Sequence, residues 1–231
     1  MPKNPAFKGV LLLEALCLLA ACSSSDDSPK SMQQVDFSQV TICDDFWTSR
    51  LENNAGRRDV KLTLETGYPW DGGATLTFDS AYKGKVKLRI PLWCKSFTVG
   101  INGETLEGCE LDRGYVVVDR KWKKGDSVTI KMDMPVEILR ADPRVKADEG
   151  LRAVRRGPLV YCIEQADNDV DFEAAGIGEN TVFETSYDKD LLGGVETITA
   201  TTGAEVLKLI PYYSWDNRAP GEMKVWLRWE E

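Results

Sequence analysis

The 231-residue chain contains no histidine. That single absence removes the usual general base near neutral pH, the commonest metal ligand, and every Ser-His or Cys-His nucleophilic arrangement. None of its six cysteines stands at Cys-x-x-Cys spacing, so a compact zinc cluster is excluded by pattern. Positive charge is also scarce: 29 Lys and Arg stand against 37 Asp and Glu, a net charge of −8, with no basic block to offset it. Nucleic acid is therefore not an expected partner. The one long apolar run, Val10 to Ala21, is too short to cross a bilayer as a helix. Beyond residue 55 no stretch carries a sustained helical period.

What is present begins with an export pattern. Lys3 and Lys8 precede the apolar run, which ends Leu19-Ala20-Ala21-Cys22 before three serines. A positive region, an apolar core (interrupted only by Glu14) and small residues before a cut form a signal peptide, here 1–21 and expected to be helical. The cysteine directly after Leu-Ala-Ala resembles a bacterial lipobox. It makes Cys22 the expected lipid-attachment residue, so that acyl chains rather than polypeptide enter the membrane. Residues 22–34 read as a polar tether, and the acidic pair Asp26-Asp27 resembles export signals of Gram-negative surface lipoproteins. The expected location is the outer membrane or cell surface.

About 200 residues remain, enough for one large or two small domains. Residues 35–55 are expected to form a short strand, Val35 to Ile42, and then a short helix capped by Asp44 or Asp45 and running through Phe46, Trp47 and Leu51. The polar cluster Asn53 to Asp59 reads as a loop. From Val60 the dominant period is two: Leu62 and Leu64, Leu76 and Phe78, Val86, Leu88 and Ile90, Val99 and Ile101, Tyr115 to Val118, Val128 to Met132. Turn signals separate these runs, among them Asp71-Gly72-Gly73 and Lys124-Gly125-Asp126. Asn102-Gly103 suits the positive backbone angles of a two-residue hairpin. Val136 to Leu139, Ala153 to Ile163, Val195 to Thr201, Ala204 to Ile210 and Met223 to Trp229 continue as strands, whereas Asn168 to Gly194 has the composition of a long acidic loop. The expected fold class is all-β: two consecutive antiparallel, jelly-roll-like β-sandwich units over 60–135 and 136–231, or one larger sandwich.

Of the cysteines outside the leader, Cys43, Cys94, Cys109 and Cys162, the second and third flank the Asn102-Gly103 turn. They are either bridged across that hairpin or left as buried thiols. Arg155-Arg156-Gly157-Pro158 lacks the glycine-rich loop and following helix of a phosphate grip and reads as a turn. Aromatic residues in loops are the candidate sugar contacts, since ring faces stack on sugar rings while nearby carboxylates and amides bind hydroxyls. Trp70 and Tyr68 stand beside Asp71-Gly72. Trp215 stands beside Asp216-Asn217-Arg218. Tyr212, Tyr213, Trp93, Trp122, Trp226 and Trp229 are further aromatics, of which a strand residue such as Trp226 is expected in the core. Glu164 is one of several carboxylates on or near strands, and such groups are mostly solvated surface charges.

Ordered blocks of the chain resemble the C-terminal part of family 127 glycoside hydrolases, the β-L-arabinofuranosidase-like enzymes. These blocks are Tyr68-Pro69-Trp70-Asp71-Gly72, Leu88-Arg89-Ile90-Pro91-Leu92-Trp93, Ile101-Asn102-Gly103, Gly150 to Tyr161 with Glu164, and Leu209 to Arg218. Gln39 to Glu52 is similar to the family's N-terminal strand and Asp-Phe-Trp helix start. The resemblance implies a helical catalytic barrel between those ends, with a cysteine nucleophile beside thiolate-held zinc and a separate glutamate as acid/base. This chain passes within a few residues from Leu51 to Val60, and none of Cys43, Cys94, Cys109 and Cys162 falls in a matching motif. No catalytic or metal-ligating residue is carried over, and no cofactor is expected. The expectation is a lipid-anchored accessory or remnant module tied to arabinose-containing glycans and inactive alone. The alternatives are a carbohydrate-binding module, a hydrolase completed by a separate barrel-bearing partner, and a truncated product without a selected role.

Overall fold

The fold, a computed structural model, describes residues 19–20, 41–42, 47–54, 59–203 and 205–230, with side chains described from residue 61 onward. Cys22, the tether 22–34, and all of the expected signal helix except Leu19–Ala20 lie outside the described residues. The chain divides into two compact units, Met1–Asp133 and Met134–Glu231.

Among the described residues the first unit contains eleven strands: β1 (Leu19–Ala20), β2 (Thr41–Ile42), β3 (Trp47–Asn54), β4 (Asp59–Thr66), β5 (Gly73–Phe78), β6 (Tyr82–Arg89), β7 (Phe97–Ile101), β8 (Glu104–Thr105), β9 (Leu111–Asp112), β10 (Tyr115–Trp122) and β11 (Ser127–Met132). They form two sheets, ordered β1-β6-β10-β9 and β2-β3-β4-β5-β11-β7-β8, with every pairing antiparallel. The alternation in the sequence becomes the packing. Leu62, Leu64, Leu76, Phe78, Val128, Ile130 and Met132 are buried from one sheet, and Val86, Leu88, Val116, Val118 and Trp122 from the other. Asn102 and Gly103 have φ of 53° and 85°, the geometry expected of them, and join β7 to β8.

The expected helix through Trp47 and Leu51 is instead strand β3. Each residue from Trp47 to Asn54 lies opposite one of β4, from Thr66 to Asp59. So short a helix is marginal by itself, whereas an eight-residue ladder satisfies the otherwise open backbone edge of β4.

The second unit contains β12 (Val136–Arg140), β13 (Leu151–Arg156), β14 (Leu159–Glu164), β15 (Gly176–Gly178), β16 (Val182–Asp188), β17 (Val195–Thr201), β18 (Val206–Pro211), β19 (Met223–Lys224) and β20 (Leu227–Glu230). Their hydrogen bonds make one continuous sheet, β15-β20-β13-β14-β18-β17-β16, with β12 on β13 and β19 on β14. Among the described residues only β15 and β20 run parallel. Val154, Tyr161, Ile163, Ile177, Ile198, Leu207, Leu209 and Leu227 come from six of these strands and meet in one core. The sheet therefore folds over on itself, as a sandwich requires. Among the described residues the only helical pieces are two three-residue 3-10 turns, Lys146–Asp148 and Tyr212–Ser214.

Two sequence expectations change here. Asn168–Gly194 is not an unbroken loop, because it contains β15 and β16. Strand β15 gives no alternation: it is Gly-Ile-Gly laid flush on β20, where a Cβ on Gly178 would sit 2.7 Å from the Glu230 carbonyl oxygen. Strand β16 is an edge whose Phe183 alone packs on the core, so its sequence stays polar. The run Met223 to Trp229 is likewise two strands, because β19 pairs with β14 while β20 pairs with β13 and β15. Trp226 falls in the break and is half-buried rather than core.

Candidate functional site

Strand β18 ends at Pro211, which is buried opposite Tyr161 of β14, and the chain then turns out into the segment 212–222. Ser214 Oγ donates to the Pro211 carbonyl at 2.7 Å, and Asn217 Nδ2 donates to the carbonyls of Ser214 and Trp215 at 3.1 and 2.9 Å. Asp216 adopts φ of 59°, which asparagine and aspartate tolerate better than most residues. Its backbone N–H donates to Glu164 Oε1 at 2.6 Å.

Arg218 closes the segment. Its Nη1 donates to Asp167 Oδ1 at 2.8 Å, and Nη2 donates to Asp167 Oδ2 at 2.5 Å and also to Glu164 Oε2. Lys208 Nζ lies 3.5 Å from Asp167 Oδ1. Asn168 braces the same turn: its Nδ2 donates to the Glu164 and Lys208 carbonyls at 2.9 and 3.0 Å, and its Oδ1 accepts from the Lys208 N–H at 2.8 Å. Gln165 and Glu222 bond to each other at the far end, 2.9 Å for the backbone pair.

Glu164 is only 6% exposed, so a guanidinium fork shared between two carboxylates is what makes the charges tolerable there. Burial pushes the Asp167 carboxyl pKa up. The hydrogen bonds and charges of Arg218 and Lys208 outweigh that and hold it below the ordinary value. The hydrogen bonds that Arg218 donates to Asp167 raise the Arg218 pKa in turn.

The clamp sets the exposed aromatics. Tyr212 and Trp215 lie near-parallel, ring centroids 6.4 Å apart at 10°, and are 45% and 38% exposed. Two near-parallel rings followed in the chain by exposed Asp216 offer apolar faces and a hydroxyl acceptor in one segment. Of the three residues expected in this segment, the structure brings Trp215 and Asp216 to the surface and commits Arg218 to the clamp. Tyr212, the second ring, was legible only as one aromatic among many. Asp167, Asn168 and Lys208 gave no signal, because their partners lie 40 to 51 positions away.

Tyr68 and Trp70 occupy a tight loop of the first unit. Tyr68 is 5% exposed, follows Thr66 whose Oγ1 accepts its N–H at 3.1 Å, and stacks on Trp93 at 6.5 Å. Trp70 is half-buried, with its N–H donating to the Gly67 carbonyl at 2.8 Å. A Cβ on Gly72 would lie 1.9 Å from the Met132 carbonyl oxygen, so only glycine lets this loop lie against β11. Tyr68 packs here with no ring face toward solvent.

Cys94, Cys109 and Cys162 are free thiols. Cys94 donates to the Ser96 carbonyl and Cys109 to that of Leu106. Burial pushes the Cys162 thiol up to about 12, aided by the nearby Glu164 and Asp167 charges. With ordinary thiol reagents at pH 8, Cys94 and Cys109 are expected to react in the native protein and Cys162 only after unfolding; mass mapping of labelled peptides checks this. Among the described residues no three Cys, Asp or Glu side chains converge as metal ligands, so these thiols do not fit a thiolate-held zinc.

Two family profiles match the chain: that described as the β-L-arabinofuranosidase GH127 middle domain at residues 41–134, and the glycoside hydrolase family 127 C-terminal domain at 136–228. The non-reducing end β-L-arabinofuranosidase of Bifidobacterium longum subsp. longum is 34% identical over 200 residues, covering 72% of this chain and 30% of that protein. A crystal structure of a GH127 β-L-arabinofuranosidase from Geobacillus stearothermophilus T6 superposes with a TM-score of 0.73 at 35% identity, covering 80% of this chain and 33% of that one. A second solved GH127 β-arabinofuranosidase gives 0.74 at 33% identity, covering 80% and 34%. The chain thus spans 30% to 34% of the length of these relatives. With the middle-domain model over residues 41–134 and the C-terminal-domain model over 136–228, the chain belongs to glycoside hydrolase family 127, and its described residues form strands with none of the paired helices of a catalytic barrel.

Proposed function

We propose that this chain is a lipid-anchored, extracytoplasmic accessory module that holds arabinose-containing glycans and has no hydrolytic activity or zinc of its own. The observation that carries the reading is the Tyr212–Trp215 pair, exposed on a loop that four charged side chains hold in place. Large exposed rings are costly to leave in water, and fixed ones lose little freedom when a ring-shaped ligand stacks on them. Trp215 and Asp216 are the proposed contacts in the second unit, and Arg218 acts on them by position. Tyr68 is buried against Trp93 and Trp70 is half-buried, so the reading rests on the second unit instead. The relatives named as β-L-arabinofuranosidases supply the sugar class. Anchoring through Cys22 would keep the module at the outer surface, where such polymers are met.

The test is titration of the full chain with arabinan and arabino-oligosaccharides, followed by tryptophan fluorescence and calorimetry. Binding that weakens by about 2 kcal/mol, roughly 30-fold, in Trp215→Ala supports the proposal. No heat and no fluorescence change at any oligomer length would remove it. Protein-dependent cleavage of an aryl β-L-arabinofuranoside would contradict the accessory role, and loss of lipid labelling in Cys22→Ala checks the anchor.

A further inference from the structure

Strand β6 carries a row of positive charge that alternation hides in the sequence. In Tyr82-Lys83-Gly84-Lys85-Val86-Lys87-Leu88-Arg89 the side chains of Val86 and Leu88 are buried in the core. Lys83, Lys85, Lys87 and Arg89 therefore all stand on the outward face of the sheet. Successive members of the row lie about 7 Å apart, and the four extend over about 20 Å. Strand β10 sets Lys121 opposite Lys83, Asp119 opposite Lys85, Val117 opposite Lys87 and Tyr115 opposite Arg89. The Arg89 guanidinium lies 5.8 Å from the centroid of the Tyr115 ring. Among the described residues none of these five cations is in an ion pair, and Asp119 does not close on Lys85.

The charge is thus a stripe little more than one strand wide, on a chain whose net charge is −8. A face that serves solubility alone mixes both signs. Here cations at alternate positions repel one another, and the outward face leaves that repulsion without a bound counter-charge.

We propose that this stripe binds a linear polysaccharide bearing carboxylates along its length. A narrow row matches one extended polyanion, whereas a planar anionic membrane would also meet the acidic remainder of a net-negative chain. Four of the five cations are lysines, point charges without the planar fork that favours phosphate. The stripe belongs to the first unit and stands independently of Tyr212 and Trp215.

Calorimetric titration of the full chain with polygalacturonate tests this, with neutral arabinan, double-stranded DNA and phosphatidylglycerol vesicles run alongside. Polygalacturonate should bind, and its affinity should fall on the order of tenfold between about 50 and about 200 mM NaCl. Lys83→Glu/Lys87→Glu should weaken it by at least about tenfold, while Lys83→Arg/Lys87→Arg should retain it. Neither position faces an acid across β10, so thermal unfolding of both variants should match the wild type. Trp215→Ala should leave polygalacturonate binding intact, and Lys83→Glu/Lys87→Glu should leave arabinan binding intact, so the two sites fail or stand separately. No binding of polygalacturonate at low salt, indifference to charge reversal, or tighter binding of DNA or vesicles overturns the inference.

Discussion

Replacing Arg218 by alanine is expected to destabilise the second unit by about 3 kcal/mol, because it strands two carboxylates rather than removing one surface charge. Glu164 and Asp167 have side chains only 7% and 10% exposed, and the guanidinium is bonded to both. For a unit of this size the loss corresponds to a fall in Tm of more than about 10 °C. Arg218→Lys recovers only part of it, since one ammonium cannot reproduce the planar fork across two acceptors. The aromatic segment should loosen with the clamp, so hydrogen exchange at 212–222 should rise more than in β17 and β18.

The pH dependence has a definite sign. The folded Asp167 carboxyl titrates below its ordinary value, so its contribution is complete above the unfolded value of about 3.9 and is lost as pH falls through the folded one. The wild-type chain is therefore expected to lose stability on acidification through that range. In Arg218→Ala the buried Asp167 carboxylate keeps only Lys208 as counter-charge and protonation relieves it, so the gap between variant and wild type narrows as pH falls. A gap constant from pH 7 to pH 3 would show that the ion network is not what holds the segment.

The second large effect belongs to the first unit. Trp122 is 2% exposed, stacks on Phe78 at 4.4 Å and 12°, and donates its indole N–H to the Gly84 carbonyl at 3.2 Å. It comes from β10 and Phe78 from β5, so this ring pair joins the two sheets of the sandwich. Trp122→Ala is expected to cost about 3–5 kcal/mol through the cavity left between the sheets, and Trp122→Phe less, through the lost volume and the unpaired Gly84 oxygen. Chemical denaturation followed by hydrogen exchange in β6 and β10 measures it. A loss below 1 kcal/mol for the alanine variant would mean that the sheets repack without their central ring.

Period-two alternation was enough to find β4, β5, β6, β10 and β11, because each buries one face more than the other. It failed where burial is not one-sided. Strand β15 is buried glycine and isoleucine, and β16 is a polar edge, so neither alternates. At Trp47 the local pattern suited a helix, yet pairing with β4 prevailed because an open edge outweighs a weak propensity. The candidate site divides in the same way. Trp215 was readable from its loop, but Tyr68, in an equally turn-rich loop, is core. Nothing local distinguishes the two, because exposure depends on what the rest of the fold places over each ring.

By itself the sequence determined the all-β class, the Asn102-Gly103 hairpin, the exclusion of histidine chemistry and the family resemblance. Each of these rests on residue identity or on spacing along the chain. Only the tertiary structure decided that Arg218 is a clamp, that Tyr68 is buried, that Tyr212 joins Trp215 and that β16 pairs with β17 at the end of its sheet. Those outcomes turn on contacts between residues tens of positions apart, which local pattern does not encode.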